Sequence, residues 1–170
     1  MLRLDFGRLA RQGSVLVAAE IPGDDSLWEG SGVPWAGPVD VALRASYSGS
    51  GEIVVRGGVT GPLEQECRRC LEPVRSGFEL DVTMVFVSSD ESEGGGAGDA
   101  RIYDAKASEL DLGEAMREEL ILALDAYVVC DPECKGLCPE CGVNRNTGTC
   151  SCSREESDPR WEALRTLKEK

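Results

Sequence analysis

Residues 78–86, Phe-Glu-Leu-Asp-Val-Thr-Met-Val-Phe, put Phe78, Leu80, Val82, Met84 and Phe86 on one side and Glu79, Asp81 and Thr83 on the other. A period of two over nine residues is the mark of a strand with one buried face. Upstream the pattern recurs, with Val39, Val41, Leu43, Ala45 and Tyr47 alternating with Asp40, Ala42, Arg44 and Ser46. Between the two, Ser48-Gly49-Ser50-Gly51 predicts a turn, Ile53 to Thr60 a strand, Gly61-Pro62 a second turn, and Leu63 to Cys67 a further strand. The sum is an antiparallel β meander, or a partial barrel, whose apolar face must be covered.

The candidate cover lies downstream. Leu110, Leu112, Met116, Leu120, Ile121 and Leu124 recur at helical spacing behind Ser108, a good N-cap, and predict one long helix over 108–124 lying across the meander. A partner-binding helix is the alternative. Toward the N-terminus, Ser14 to Ile21 predicts a strand, and Leu2, Phe6 and Leu9 a short helix or turn ending at Gly13. Residues 22–38, with Pro22, Pro34, Pro38 and four glycines, predict a loop pinned to the core by Trp28 and Trp35. Residues 88–100 predict a flexible acidic loop, and Asp158-Pro159 opens a C-terminal helix carrying Trp161, Leu164 and Leu167. The expected class is α+β, with a β-rich core domain over 1–129 and a Cys-rich module plus C-terminal helix over 130–170.

Composition limits the chemistry. Histidine is absent, which removes the commonest general base and all His-containing metal motifs. No paired catalytic constellation and no small-molecule site is evident, so the expectation is not an enzyme. The apolar run Val15 to Ile21 is interrupted by Glu20 and is too short for a signal-peptide core or a membrane span. A cytoplasmic, reducing setting follows as the expectation, with no membrane partner. The formal charge of −13 repels bulk nucleic acid, so a basic protein partner is electrostatically easier than RNA.

Eight cysteines in a reducing compartment point to metal. They are spaced Cys67-x2-Cys70, then Cys130-x3-Cys134-x3-Cys138-x2-Cys141-x8-Cys150-x1-Cys152. A CxxC knuckle turns the chain back on itself, so that backbone N–H groups can face the thiolates. Locality groups Cys138, Cys141, Cys150 and Cys152 around the loop Gly142 to Thr149, and leaves Cys67 and Cys70 to join Cys130 and Cys134. Two four-Cys zinc sites are expected: one clamping helix end to sheet, one folding a polar tail. Three alternatives stay open: cross-pairing of Cys67/Cys70 with Cys138/Cys141 as in a zinc ribbon, an iron centre on the same ligands, and a thiol redox pair at Cys67/Cys70. Candidate RNA or partner contacts are Arg68 and Arg69, with Arg75 nearby, and Lys135 and Arg145. Arg154, Arg160, Arg165, Lys168 and Lys170 extend the basic set toward the C-terminus.

Three segments together resemble the YceD family: Cys67-Arg-Arg-Cys70-Leu-Glu-Pro-Val74; Asp111-Leu112 through Leu124; and Cys134-Lys-Gly-Leu-Cys138-Pro-Glu-Cys141-Gly followed by Cys150-Ser-Cys152. The Asp158-Pro159-Arg160 helix fits as well, and the match is weakest before Val39. The resemblance is to a cysteine-rich branch, and it implies a role in accumulation of large-subunit ribosomal RNA. A ribosomal protein or pre-ribosomal RNA is the implied partner. A zinc-stabilised adaptor for an unrelated protein is the other non-enzymatic reading.

Overall fold

The structure is a computed structural model and describes residues 2–49, 51–90 and 100–152. Most of the expected acidic loop and the expected C-terminal helix lie outside the described residues. So do Arg154, Arg160, Arg165, Lys168 and Lys170.

The chain runs β1 (Arg3–Asp5), α1 (Phe6–Gln12), β2 (Ser14–Ile21), β3 (Val39–Tyr47), β4 (Ile53–Glu66), β5 (Pro73–Ser88), β6 (Arg101–Tyr103), β7 (Glu109–Asp111) and α2 (Gly113–Ala123). A five-stranded sheet has the order β2-β3-β4-β5-β6. Its first four strands are an antiparallel meander, and β6 joins β5 in parallel. β1 and β7 form a separate two-stranded sheet. The fold is α+β.

The alternating strands behave as their sequence dictates. Val39, Val41, Leu43 and Ala45 of β3 are buried, as are Val82, Met84 and Phe86 of β5. Asp40, Ala42, Arg44, Glu79, Asp81 and Thr83 face outward. The 22–38 loop is pinned as expected. The Trp28 indole donates to the Pro22 carbonyl at 2.9 Å, and its ring sits 4.8 Å from that of Trp35, which in turn meets Phe78 at 5.5 Å. Truncating Trp28, which is 5 % exposed, removes the buried end of this stack and its bond to the Pro22 carbonyl. Trp28→Ala is expected to cost about 3–5 kcal/mol in a denaturant melt; a loss under about 1 kcal/mol would mean the loop is not anchored there.

Two expectations are corrected. Gly61-Pro62 is not a turn, because β4 runs through it in register with β5, Gly61 opposite Phe78 and Pro62 opposite Gly77. Within a strand the N–H and C=O of one residue point the same way, and the Pro62 carbonyl accepts from Ala36 N at 3.0 Å. The missing N–H of Pro62 therefore faces the 34–38 loop, and the β4–β5 ladder loses nothing. The second correction concerns the helix, which spans eleven residues and starts after residues 109–111 have paired as β7 with β1. Asp111 accepts from Gly113 N at 2.8 Å, whereas Ser108 gives its carbonyl to Phe6 N. Leu112, Ala115, Met116 and Leu120 are buried in the core, but this short helix does not amount to a cover over a barrel. Arg101 of β6 ties it down through Glu118 and Glu119.

The candidate metal centre

The fourteen-residue β4 and sixteen-residue β5 extend past the rest of the sheet, and their tip carries the first knuckle. Glu66 and Pro73 are the last paired residues, and Cys67 to Glu72 form the turn. The segment after α2 is laced to this tip. The Gln65 amide donates to the Asp125 carbonyl at 3.0 Å, Arg68 N to Val128 O at 2.9 Å, and the Arg68 guanidinium to Ala126 O at 2.7 Å. Arg69 Nη1 donates to the carbonyls of Pro132 and Cys134, each at 3.0 Å.

This lacing gathers Cys67, Cys70, Cys130 and Cys134 into one group, and Cys138, Cys141, Cys150 and Cys152 into another; within each, all sulfurs lie within 4.8 Å of one another. These are the two groups that locality predicts, so the cross-paired ribbon is not formed. Cys67–Cys134 and Cys70–Cys130 sulfurs stand 3.9 and 3.6 Å apart. That is far beyond a disulfide bond, and it matches the edge of about 3.8 Å of a tetrahedron with metal–sulfur bonds of about 2.3 Å. Each group can therefore hold a four-coordinate metal ion.

Three cysteines of the proximal group are buried, Cys67 0 %, Cys70 4 % and Cys134 6 % exposed, packed by Val74, Val129 and Leu137, while Cys130 is exposed. In the distal group only Cys138 is buried. Within each group the thiol pKa values are driven apart. Backbone N–H groups of Cys130, Cys70 and Arg69 bring the Cys67 thiol down to about 6 against its burial. Those of Cys141 and Glu140 do the same for Cys138, also to about 6. In exchange, the neighbouring sulfurs of Cys134 and Cys70 push Cys130 up to about 12, and the sulfur of Cys141 pushes Cys152 up to about 12. Four anions this close cannot coexist without a positive charge among them.

The two knuckles are built alike. Leu71 N donates to Cys67 O and Gly142 N to Cys138 O, both at 2.9 Å. Cys67 N donates to Glu72 O at 2.9 Å and Cys138 N to Val143 O at 2.8 Å. The residue after the second cysteine is left-handed in each, Leu71 at φ 62° and Gly142 at φ 73°. Glycine takes this conformation freely, while a leucine gives up roughly 1–2 kcal/mol. Leu71 is 57 % exposed, so its side chain recovers little by packing. Leu71→Gly is expected to raise the melting stability of the metal-loaded protein by up to about 1 kcal/mol, once the greater freedom of the unfolded glycine chain is subtracted. A clear destabilisation would show that the leucine packs against something.

The four candidate contact residues divide. Arg68 and Arg69 are exposed, and each gives one guanidinium nitrogen, Nε of Arg68 and Nη1 of Arg69, to backbone carbonyls of the 126–134 segment. Lys135 and Arg145 are exposed and border the distal cysteines. Arg75 pairs with Glu64 on the hairpin. The residues that spacing alone misses are asparagines in the loop between Cys141 and Cys150. Asn146 Nδ2 donates to Cys134 Sγ at 3.3 Å, and Asn144 Nδ2 to Glu72 Oε1 at 3.3 Å. No spacing rule marks them, because their partners, Cys134 and Glu72, belong to the proximal group and its hairpin.

Comparison with known proteins gives a consistent picture. Residues 55–168 match the family described as "Large ribosomal RNA subunit accumulation protein YceD". An uncharacterized protein of Mycobacterium tuberculosis is 32% identical over 126 residues, covering 74% of this chain and 60% of that protein. The "Large ribosomal RNA subunit accumulation protein YCED homolog 1, chloroplastic" of Arabidopsis thaliana is 30% identical over 108 residues, 58% of this chain and 33% of that one. The maize protein of the same description is 27% identical over 178 residues, 88% of this chain and 60% of that one. The matched region thus spans less than two thirds of each relative's length. No solved structure matches the chain. Among the described residues no helix is long and apolar enough to cross a membrane.

Proposed function

The chain belongs to the YceD family, and from that premise we propose that it is a non-enzymatic, zinc-stabilised factor of the cytoplasm that promotes the accumulation of large-subunit ribosomal RNA. The observation that carries the role is the family match across residues 55–168, joined by plant relatives whose names state rRNA accumulation. The zinc reading is supported by two sites of four sulfurs each, with no histidine or carboxylate among them. Such a set satisfies a four-coordinate ion and leaves no open position for substrate or water, the arrangement of a structural zinc site. The Cys67/Cys70 redox reading is disfavoured, because both cysteines are buried and an exchanging thiol needs access.

The charge distribution favours a basic protein as the direct contact. Glu20, Asp40 and Glu79 lie in one row across the outer face of the sheet, with Asp81 beside them, and all four are exposed. Arg68 and Arg69, the basic residues of the hairpin tip, are exposed but each gives part of its guanidinium to backbone carbonyls of the 126–134 segment. A ribosomal protein has the complementary sign. Depleting the protein is expected to lower large-subunit rRNA relative to small-subunit rRNA, and an unchanged ratio would refute the role. Mild crosslinking and capture should recover ribosomal proteins or pre-rRNA; recovery of a single unrelated enzyme would instead identify an adaptor.

A further inference from the structure

The loop closed by the distal cysteines does not serve the distal site alone. Asn146 lies between Cys141 and Cys150, yet its amide nitrogen sits 3.3 Å from Cys134 Sγ, a sulfur of the proximal group. The amide is held at both ends: its oxygen accepts from Lys135 N at 2.8 Å, and its nitrogen also donates to Asn144 Oδ1 at 2.9 Å. Arg145 N donates to Gly136 O at 2.9 Å, so the two residues that follow Cys134 are tied to the same loop. Within the loop, the backbone bonds are those of a single tight turn, Thr147 N and Gly148 N to Asn144 O. Its start is also paired with the preceding segment, Asn144 opposite Leu137 and Cys138 N donating to Val143 O at 2.8 Å, whereas its far end meets the rest of the module at the distal sulfurs Cys150 and Cys152.

We propose that Asn146 is a positioning residue of the proximal site delivered by the distal site, so that metal binding at the two clusters is cooperative. A neutral amide donor on a coordinating thiolate withdraws charge from the sulfur and fixes its direction, and losing such an outer partner typically costs about 10–100-fold in metal affinity. With the distal sulfurs free, the loop keeps its backbone ties to residues 135–138 but its far end is released, and the amide is held less firmly against Cys134. With them closed on an ion, its placement is already fixed when the proximal ion arrives. Linkage makes the effect reciprocal, so filling either cluster raises the affinity of the other by the same factor.

The inference rests on both clusters holding metal, as proposed above, and the experiment separates the two claims. The metal-free full chain is titrated with zinc against a competing chelator, and each cluster is followed through its own backbone amides. Arg69 and Cys70 report the proximal site, Glu140 and Gly142 the distal one. In the wild type both sets should change together over a narrow range of free zinc. In Asn146→Ala, the later-filling cluster should move to about tenfold higher free zinc or beyond, while the earlier-filling one stays. With the distal site emptied by Cys150→Ser/Cys152→Ser, adding Asn146→Ala should change proximal affinity less than twofold. That background needs no folded tail, because an open loop is the state under test. Absence of a shift in the intact chain, or an equal shift in the emptied background, would overturn the coupling alone. Failure of the wild type to take up zinc would overturn the metal reading with it.

Discussion

Stripping the metal from the reduced protein is expected to open residues 126–152 while leaving the sheet folded. In a hydrogen-exchange experiment, peptides covering 130–152 and the 67–72 knuckle should lose protection on chelation. Those covering Val39–Tyr47 and the inner halves of β4 and β5 should keep it. The reason is the unequal distribution of apolar burial. Leu4, Leu9, Leu43, Ile53, Val55, Val59, Leu112, Met116 and Leu120 all belong to the cluster under the sheet and are essentially inaccessible. Around the proximal sulfurs, Val74, Val129 and Leu137 are the apolar companions, each only partly buried. Three such side chains cannot hold a polar segment against the conformational entropy of ordering it, roughly 1–2 kcal/mol per residue. A four-ligand zinc site supplies on the order of 10–16 kcal/mol of binding at neutral pH. Protection over 130–152 that survives chelation would show that the backbone bonds and caps are enough, and would remove the structural role assigned to the ion.

The same contrast explains which features could be read from the sequence. β3 and the inner half of β5 were legible because one face of each is wholly buried, so every second residue had to be apolar. The cysteine grouping was legible because ligands close in sequence need little loop closure to meet. What escaped depends on partners far along the chain. Arg3–Asp5 and Glu109–Asp111 are three-residue strands, too short to show a period, and they define each other only as a pair. Glu-Leu-Asp-Leu after Ser108 imitates a capped helix start until β1 is there to claim it. Gly61-Pro62 carries every local sign of a turn, and only the departure of β3 from the edge of β4 lets the proline stay in the strand. The bonds of Arg68 and Arg69 to the carbonyls of residues 126–134 also escape the sequence, because those acceptors lie about sixty residues away.

Two neighbouring glycines of β4 should respond in opposite ways to the same added methyl group. A Cβ at Gly57 would lie 2.0 Å from the Ala42 carbonyl oxygen and 2.8 Å from Leu43 Cα, both backbone atoms of β3. No side-chain rotation relieves such an overlap; the strands must separate where Gly57 faces Leu43. Leu43 is fully buried, so the separation opens the centre of the core. Overpacking against movable side chains costs about 1–3 kcal/mol, and a backbone obstacle should exceed that. Gly57→Ala is therefore expected to lose at least about 3 kcal/mol or to fail to fold. At Gly58, one residue on, nothing lies within 4 Å of the new atom. There alanine replaces a glycine whose freedom weakens a strand, and Gly58→Ala should gain about 0.5–1 kcal/mol. Paired denaturant melts decide the matter. If both variants shift alike, the close approach of β3 and β4 at Gly57 is not what sets the geometry of the sheet. If they split as expected, that approach allows β4 to follow β3 and then continue past it, carrying Cys67 and Cys70 out to where Cys130 and Cys134 can reach them.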